Sequence, residues 1–495
     1  MSLLATFLLI STLAAPQQRA VDADVVRQGS ALTAGGKLEE ARELYKRELL
    51  RSPGNPALLF ELGMIYFRQR DWEEAIETFT DSLKTDPSNI KSLFYLSEAY
   101  FARPDLDRAR ETIAKAAQIA PNDAQVCQKY GEYLTAALET RREGISWLEK
   151  ARRLNPTLEN IDFEIGKAQF ELTDFQSATT NLETSLRRDS ENGEASFLLA
   201  ESWSHLGDWE KARTYYEESL TRGYVDSHAY YGLGTALVQL GNFQTAIEPL
   251  RHALDLQPSL LQAHFQLGKA YRETGRIKEA QHETSLFAAM NGRTDTSTEL
   301  KTPENQKAWQ RVRPLLEAGR EQEAREYLAG MSGKQGPDLS PPDFLLGAMY
   351  FSMGRNADAR RVLTLARAEY PKAAHIAAYL GMVQISAGET AEAETTFRSA
   401  LKLDPSDPLA LIGMGTLRYQ QGKWADAIGY LDKSRTADPG VLLMLCDAYF
   451  KGGRSKDGAL AAEMVRAFGS NQRELMSALD GLLESQPSEQ AVSPR

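Results

Sequence analysis

Small and bulky side chains recur along the chain at intervals of about 34 residues. The small row is Gly29, Gly63, Ser97, Gly131, Gly166, Ala200, Gly234, Gly268, Gly347, Gly381 and Gly415. In most periods an alanine stands twelve residues after the small residue, as Ala75 follows Gly63, and a bulky residue such as Phe79 stands sixteen residues after it. Apolar residues at this spacing share one face of a helix, so the rows predict two amphipathic helices in each period.

Turn and stop signals separate the predicted helices. The turn between the two helices of a period is written Gly207-Asp208-Trp209, Gly241-Asn242-Phe243, Gly275-Arg276-Ile277 and Gly422-Lys423-Trp424. The glycine is expected to end the first helix at positive φ, and Asp208 or Asn242 to cap the second helix. A proline such as Pro87, Pro121 or Pro405 then closes the second helix, because it cannot continue the hydrogen-bond ladder. The chain is therefore predicted to be all-α.

This register resembles the tetratricopeptide repeat. It is clearest in the segments at 58–87 (LLFELGMIYFRQRDWEEAIETFTDSLKTDP) and 229–258 (AYYGLGTALVQLGNFQTAIEPLRHALDLQP), and it extends over about residues 22–470. The resemblance implies an α-solenoid, in which antiparallel helix pairs stack into a right-handed superhelix with a concave groove.

The repeats predict two arrays. Residues 22–290 hold about eight repeats, 291–304 form a linker, and 305–484 hold one degenerate, three good and one shortened repeat. In the degenerate repeat Pro314 is expected to interrupt the first helix. A capping helix is predicted at about 471–484, and the tail 485–495 is expected to be disordered. Two rigid arcs joined by a hinge and one continuous superhelix with a surface loop at 290–305 both fit this pattern.

Residues 1–15 are apolar and uncharged. This stretch is shorter than the roughly 20 residues that span a bilayer, and it is typical of the apolar part of a secretory signal peptide. It predicts export, to the periplasm in a bacterium, with no integral membrane segment after signal removal. The basic residues that usually precede such a stretch are missing, so a cytoplasmic location is the alternative.

Candidate partner-binding residues follow from the resemblance, which implies that the first helix of each repeat lines the groove at its second, fifth, sixth, ninth, twelfth and thirteenth positions. The aromatic candidates, at the fifth position, are Phe60, Phe94, Phe163, Phe197, Tyr231 and Phe265. The charged and polar candidates are Glu61, Glu98, Lys129, Glu164, Lys167, Glu201, His228 and Lys269. The aromatic row either grips a peptide or packs on neighbouring helices. The charges favour a basic and apolar partner.

Composition and motifs limit the chemistry. Acidic residues outnumber basic ones by 68 to 57, which argues against a general nucleic-acid binder. Cys127 and Cys446 lie far apart in sequence and show no metal-ligand spacing. His228 and His264 are candidates to share a groove but are interpreted as surface residues. No P-loop, dinucleotide fingerprint, HExxH or nucleophile elbow is present, so we expect no enzyme activity, cofactor or metal.

These patterns predict a non-catalytic scaffold that binds a protein or peptide partner in its concave groove. With the signal-like start, they favour an exported component of a cell-envelope assembly, secretion or polysaccharide-export system. A cytoplasmic adaptor or co-chaperone is the first alternative, and the regulatory part of an enzyme complex is the second. Self-association through the end repeats stays open.

Overall fold

The computed structural model describes residues 24–294, 303–335 and 341–486. The predicted signal segment 1–15, residues 295–302 of the predicted linker and residues 487–495 of the predicted tail lie outside these ranges. Within them the chain forms 27 helices and no strand, and the β-type pairing is one isolated bridge between Thr294 and Thr436. The prediction of an all-α repeat fold is confirmed.

The described residues form two compact units, which divide between Val225 and Asp226. The described helices of the first unit are α1 at 24–34, α2 Leu38–Leu49, α3 Pro56–Gln69, α4 Trp72–Thr85, α5 Ile90–Ala102, α6 Leu106–Ile119, α7 Ala124–Thr135, α8 Arg141–Leu154, α9 Ile161–Glu171, α10 Phe175–Arg188, α11 Gly193–Leu206 and α12 Trp209–Thr221.

The described helices of the second unit are α13 Ser227–Gln239, α14 Phe243–Leu256, α15 Leu261–Glu273, α16 Ile277–Met290, α17 Pro303–Glu317, α18 Glu321–Gln335, α19 Pro342–Ser352, α20 Asn356–Glu369, α21 Ala374–Ser386, α22 Thr390–Leu403, α23 Pro408–Gln420, α24 Trp424–Lys433, α25 Pro439–Lys451, α26 Ser455–Gly469 and α27 Arg473–Glu484. Six first helices begin at intervals that keep the 34-residue period, with one extra residue between the third and the fourth of them, namely at Pro56, Ile90, Ala124, Gly193, Ser227 and Leu261.

The small row and the bulky row meet inside each helix pair. A Cβ atom added to Gly63 would lie 2.6 Å from the Phe79 ring, and one added to Gly347 would lie 2.6 Å from Leu363 Cγ. Both bulky side chains are fully buried. The sixteen-residue spacing therefore records a close approach of the two helices, and in these two pairs only hydrogen fits at the small position.

Each pair also packs on its neighbours through its first helix. In the first unit α3 contacts α5, α7 contacts α9, and α9 contacts α11. In the second unit α13 contacts α15, and the same alternation continues from α19 through α25. First helices therefore lie side by side, and the face that they build positions the candidate site.

The turns follow the predicted glycine rule but only part of the predicted capping. Gly207, Gly241 and Gly275 have φ of 79°, 78° and 76°. The Asp208 carboxylate accepts a hydrogen bond from the Lys211 N–H at 3.2 Å. The prediction that the Asn242 side chain caps the next helix is wrong, because Asn242 precedes that helix but its side chain accepts no hydrogen bond from the first turn.

Pro314 does not interrupt its helix, which corrects the sequence-based prediction. Helix α17 runs from Pro303 to Glu317 with Pro314 inside its last turn. The proline removes one hydrogen bond near the helix end. Ala308, Val312 and Leu316 of the same helix are fully buried in the core that α19 and α20 share, and this packing holds the helix together.

In the second unit, α16 is covered by helices from the far end of the chain. Met290 is 3% exposed and lies in one core with Leu431 and Leu445, and α16 contacts α26. Thr294 bonds through its backbone N–H to the Arg435 carbonyl at 2.9 Å, and its carbonyl accepts from the Ala437 N–H at 2.8 Å. These contacts join the helices on the two sides of the predicted linker.

The predicted capping helix is present. Helix α27 spans Arg473–Glu484 and contacts both α25 and α26. Its Leu479 is fully buried in the core of the last repeats. The helix thus covers apolar surface that the end of a repeat stack would otherwise expose.

Candidate functional site

The candidate site is a groove on the first helices of the first unit. Three pockets of about 370, 660 and 370 Å³ adjoin there, from α3 to α9. Phe94 and Gln125 line both the first and the second pocket. Lys129, Glu132 and Glu164 line both the second and the third. The pockets are therefore one continuous surface, which we call the first-unit groove.

The α3–α5 end of the groove is aromatic. Phe60 and Phe94 line it and are both partly exposed. The Phe60 ring lies 6.0 Å from Tyr95 and the Phe94 ring lies 5.4 Å from Tyr95, measured between centroids. These two predicted residues thus pack on a neighbouring ring and also offer ring surface to a ligand.

Glu61 adds a carboxylate to this aromatic end. Burial raises its pKa, and the positive charges of Lys91 and Arg68 oppose that rise. All three residues line the pocket with Phe60. The end of the groove can therefore contact apolar side chains and, at its edge, polar groups of either sign.

The α5–α7 part of the groove holds a charged network. Lys129 Nζ lies 3.3 Å from Glu98 Oε1 and 2.6 Å from Glu132 Oε2. The Tyr133 hydroxyl donates a hydrogen bond to Glu98. Burial lowers the pKa of Lys129, but the carboxylates of Glu132 and Glu98 outweigh it and the pKa is raised. The lysine is held as a cation between two acids.

Helix α9 contributes Glu164 and Lys167. Lys167 Nζ lies 2.8 Å from the Glu194 carboxylate. Among the described residues no side chain forms a hydrogen bond or ion pair with the Glu164 carboxylate, which is more than half buried. Burial first, and then the negative charge of Glu132, raise the pKa of Glu164 to about 7. In the pocket that Glu164 shares with Phe101 and Tyr133, its carboxylate is the one without a direct partner among the described residues.

Phe101 and Tyr133 form a stacked aromatic pair in the same pocket as Glu164. Their ring centroids lie 5.0 Å apart, and Phe101 is 53% exposed. Sequence reasoning missed both residues because it followed the fifth-position row. Phe101 stands at the twelfth position of its repeat, which belongs to the groove pattern that the resemblance implied.

Three predicted residues of the first unit lie outside the groove. Phe163 is 7% exposed and packs in a core with Leu182. Phe197 stacks on Tyr224 at a centroid distance of 5.0 Å. Glu201 accepts a hydrogen bond from the Tyr216 hydroxyl. These side chains hold neighbouring helices together.

The remaining candidates belong to the second unit and are described apart from the groove. Phe265 is 55% exposed and lies 5.4 Å from the Phe287 ring, whereas Tyr231 and Lys269 are partly buried. His228 is exposed, with Nδ1 3.3 Å from Asp226 at the start of α13.

His264 is buried, and its two ring nitrogens are both engaged. Nδ1 lies 2.6 Å from the Glu283 carboxylate and Nε2 lies 3.0 Å from the Pro258 carbonyl oxygen. His264 is therefore not available to a ligand, and the pairing of His228 with His264 in a groove does not form.

Two kinds of feature are missing from the residues that the structure describes. No helix there is both long enough and apolar enough to cross a membrane. No cluster of three or more histidine, cysteine, aspartate or glutamate side chains in those ranges is arranged to hold a metal ion.

Comparison with known proteins places this geometry among helical repeats. Models described as tetratricopeptide repeat match residues 26–90, 60–124 and 345–408, and two further models of the same description match 193–259 and 384–440. The matches lie in both units, and in the first unit they cover α2 to α6, α11, α12 and most of α1.

Two relatives from Komagataeibacter match only a short segment of this chain. Cellulose synthase operon protein C of Komagataeibacter xylinus is 39% identical over 69 residues, and the protein of the same name from Komagataeibacter sucrofermentans is 38% identical over 69 residues. Each match covers 14% of this chain and 5% of the relative. The chain thus spans a small fraction of the length of these relatives.

Solved structures of low sequence identity align with parts of the chain. PilW, a type IV pilus biogenesis factor, is 24% identical with a TM-score of 0.36, and the match covers 40% of this chain and 92% of PilW. PilF of Pseudomonas aeruginosa is 19% identical with a TM-score of 0.38, covering 48% of this chain and 99% of PilF. With the family models matching in both units, the chain is a member of the tetratricopeptide-repeat family.

Proposed function

We propose that the chain is a protein-interaction scaffold whose first-unit groove binds an extended segment of a partner polypeptide. The observation that carries this proposal is the continuity of the groove over four first helices, from α3 to α9. Stacked helix repeats typically bind their partners on such extended surfaces.

The size of the groove suits a peptide. Packed helices lie about 8–10 Å apart, so the three steps from α3 to α9 span about 30 Å. An extended chain rises about 3.3 Å per residue, and about nine residues would fill that length. A segment of this size is long enough to be recognised by its side chains.

The chemistry of the groove also suits a peptide. The Phe60 and Phe94 rings can contact apolar side chains at one end, and the Phe101–Tyr133 pair can do so at the other. Between them, Gln125, Gln128 and charged groups can bond to a peptide backbone or polar side chains. Aromatic contacts at both ends with polar groups between them would fix the register of the segment.

Co-purification from the cells that make the protein tests this proposal. The variant carries Phe94→Ala and Phe101→Ala, and the matched control carries Tyr327→Ala and Tyr370→Ala, which remove exposed aromatic rings of the second unit. Helix content and melting temperature are checked first. Partners should be lost from the groove variant and kept by the control. If both variants keep the same partners, the first-unit groove is not the binding site.

The finer proposal is that the scaffold is exported and serves a cell-envelope assembly, secretion or polysaccharide-export system. The apolar residues 1–15 support export. The short match to proteins named for a cellulose synthase operon is consistent with polysaccharide export. The mature chain should lack the apolar start and fractionate outside the cytoplasm. N-terminal sequencing that finds Met1 on a cytoplasmic protein would contradict export and favour an adaptor there, leaving the groove proposal standing.

A further inference from the structure

We propose that the pocket formed by Glu132, Glu164 and the Phe101–Tyr133 pair takes a lysine or arginine side chain of the partner segment. This inference rests on the proposed function, because it names the chemistry of the segment that the first-unit groove binds. The occupant is a basic side chain followed or preceded by apolar residues. Glu164 would bind its cationic head, and the Phe101 ring would carry its alkyl stem.

The pocket and its edge carry more carboxylates than cations. Its carboxylates, with Glu194 at the edge, are Glu98, Glu132, Glu164, Glu171 and Glu194. Its cations are Lys129, Lys167 and Arg141, which pair with Glu98 and Glu132, with Glu194 and with Glu171 respectively. Each cation is already held by at least one acid, and Glu164 is left over. A cationic ligand would complete the set.

The position of Glu164 makes it the group that a ligand would reach. It lines both the second and the third pocket, at the α9 end of the first-unit groove. It lacks the direct partner that Glu98, Glu132, Glu171 and Glu194 each have. A partly buried carboxylate without a partner has lost water without gaining a compensating bond. A docked ammonium or guanidinium group would supply that bond.

The aromatic pair gives the site its preference for a long basic side chain. Phe101 is 53% exposed although its ring stacks on Tyr133. Lysine and arginine side chains lay their methylene stems on apolar surface while the charged head stays polar. A cation near an aromatic face gains further attraction from the ring. An apolar ligand would use the ring but would leave Glu164 unpaired.

Proton uptake by Glu164 should tune this binding. The charged groups that face it are Glu132 and Lys129 on α7, Lys167 on α9 and Glu194 on α11. Burial and Glu132 raise the pKa of Glu164 to about 7. Without a bound cation, Glu164 is therefore partly protonated near neutral pH. The cation binds the carboxylate form, and affinity should therefore rise as the pH increases from 6 to 8.

Selection of binders from a phage-displayed library of random nonapeptides tests the inference on the full chain. Selected peptides should share one lysine or arginine next to apolar residues. The strongest binder is then synthesised with that residue and with norleucine in its place. Glu164→Gln should weaken the basic peptide by about tenfold and leave the norleucine peptide unchanged. Glu111→Gln, an exposed residue of α6, is the matched control and should change neither.

The outcomes separate this inference from the proposed function. Peptides that lose binding with Phe94→Ala and Phe101→Ala, but show no basic residue and no response to Glu164→Gln, would overturn the cation pocket and keep the groove. Peptides that bind the Phe94→Ala, Phe101→Ala variant as tightly as the wild type would overturn both. Affinity that does not change between pH 6 and pH 8 would also overturn the role of Glu164.

Discussion

At the scale of single residues, the first-unit groove contains a carboxyl group that destabilises the folded chain. Glu164 is partly buried, its neighbour Glu132 is negative, and no described side chain pairs with it. Residues that bind a ligand often destabilise the free protein in this way. The same residue therefore offers a stability test that needs no partner.

Replacing Glu164 with glutamine should stabilise the chain in a pH-dependent way. The pKa of Glu164 is raised from 4.5 to about 7 in the folded chain. Folding thus favours its protonated form, and the carboxyl destabilises the fold increasingly as pH rises from about 4.5 to 7, with the full effect above 7. Glutamine removes that effect, and allowing for partial solvent exposure we expect a gain of about 2 kcal/mol at pH 8.

Thermal unfolding followed by circular dichroism at pH 5 and pH 8 measures this gain. The Glu164→Gln chain should melt higher than the wild type at pH 8, and the difference should shrink toward pH 5. An equal difference at the two pH values would mean that the change acts through packing, and the argument from charge would then fail.

Half of the candidate residues that were predicted from the sequence lie in the first-unit groove. Glu61, Glu98, Lys129, Glu164 and Lys167 were predicted from repeat position and lie in the groove. Position alone could not separate ring surface that faces a ligand from ring surface that faces a core. Phe163 shares its repeat position with Phe60 but is buried, because its ring packs in the core with Leu182 of α10 and Leu199 of α11.

At the scale of elements, the helix pair is set by one close contact between a glycine and a bulky side chain. A Cβ atom on Gly415 would lie 2.5 Å from Leu431 Cδ2. Gly429, on the helix that carries Leu431, would meet nothing within 4 Å. Close packing against Leu431 therefore requires a glycine at position 415, whereas no neighbouring atom requires one at position 429.

Alanine at these two positions should have opposite effects. Gly415→Ala should destabilise the chain by about 1–3 kcal/mol, because Leu431 has to move. Gly429→Ala adds a methyl group at an exposed helical site and should stabilise by up to about 1 kcal/mol, since alanine is the better helix former. Urea denaturation of both variants measures the difference. Equal effects would show that close approach does not govern the glycine row.

The helices could be predicted because the 34-residue period is strong. The structure differs from that prediction at individual helix starts. The start of most first helices agreed with the 34-residue register. At three helix starts of the second unit, an arginine makes contacts that the 34-residue register did not predict. Arg276, Arg355 and Arg454 each lie over a tyrosine ring five residues earlier and pair with an acid three residues later. Propensity rules for caps name Asp, Asn, Ser and Thr, so they do not point to arginine.

At the scale of the molecule, the second unit closes between helices that are distant in sequence. The Arg293 side chain is 2% exposed and lies 2.7 Å from the Asp432 carboxylate. Its guanidinium also donates to the carbonyl oxygens of Ala289 at 2.8 Å and Thr436 at 3.3 Å. We call Arg293 with these three partners the clasp. It fixes the end of α16 to the turn that follows α24.

Breaking the clasp should loosen both of the elements that it joins. Arg293→Ala removes a charged hydrogen-bonding group from a buried position, and we expect a loss of about 2 kcal/mol. Hydrogen exchange should speed up together at the end of α16 and at the end of α24. Arg313→Ala is the control, because its pair with Glu317 is exposed and should be worth less than about 0.5 kcal/mol. Faster exchange in α16 alone would contradict a shared unit.

This closure could not be predicted from the repeats. The period encodes contacts between helices that follow one another, because each repeat carries a face for the next. The contact of α16 with α26 joins residues far apart in the chain, and it depends on side chains such as Met290 and Arg293 that stand outside the rows. A pattern of neighbours carries no information on which distant helix completes the core.

The most direct test of the central claim, that the first-unit groove holds the partner, is site-specific photo-crosslinking in cells. A photoreactive p-benzoylphenylalanine replaces Phe101, which is 53% exposed in the groove, or Tyr327, which is 37% exposed in the second unit. The account predicts that one partner protein crosslinks from position 101 and not from position 327. A partner captured from position 327 but never from position 101 would contradict the account and place binding elsewhere on the chain.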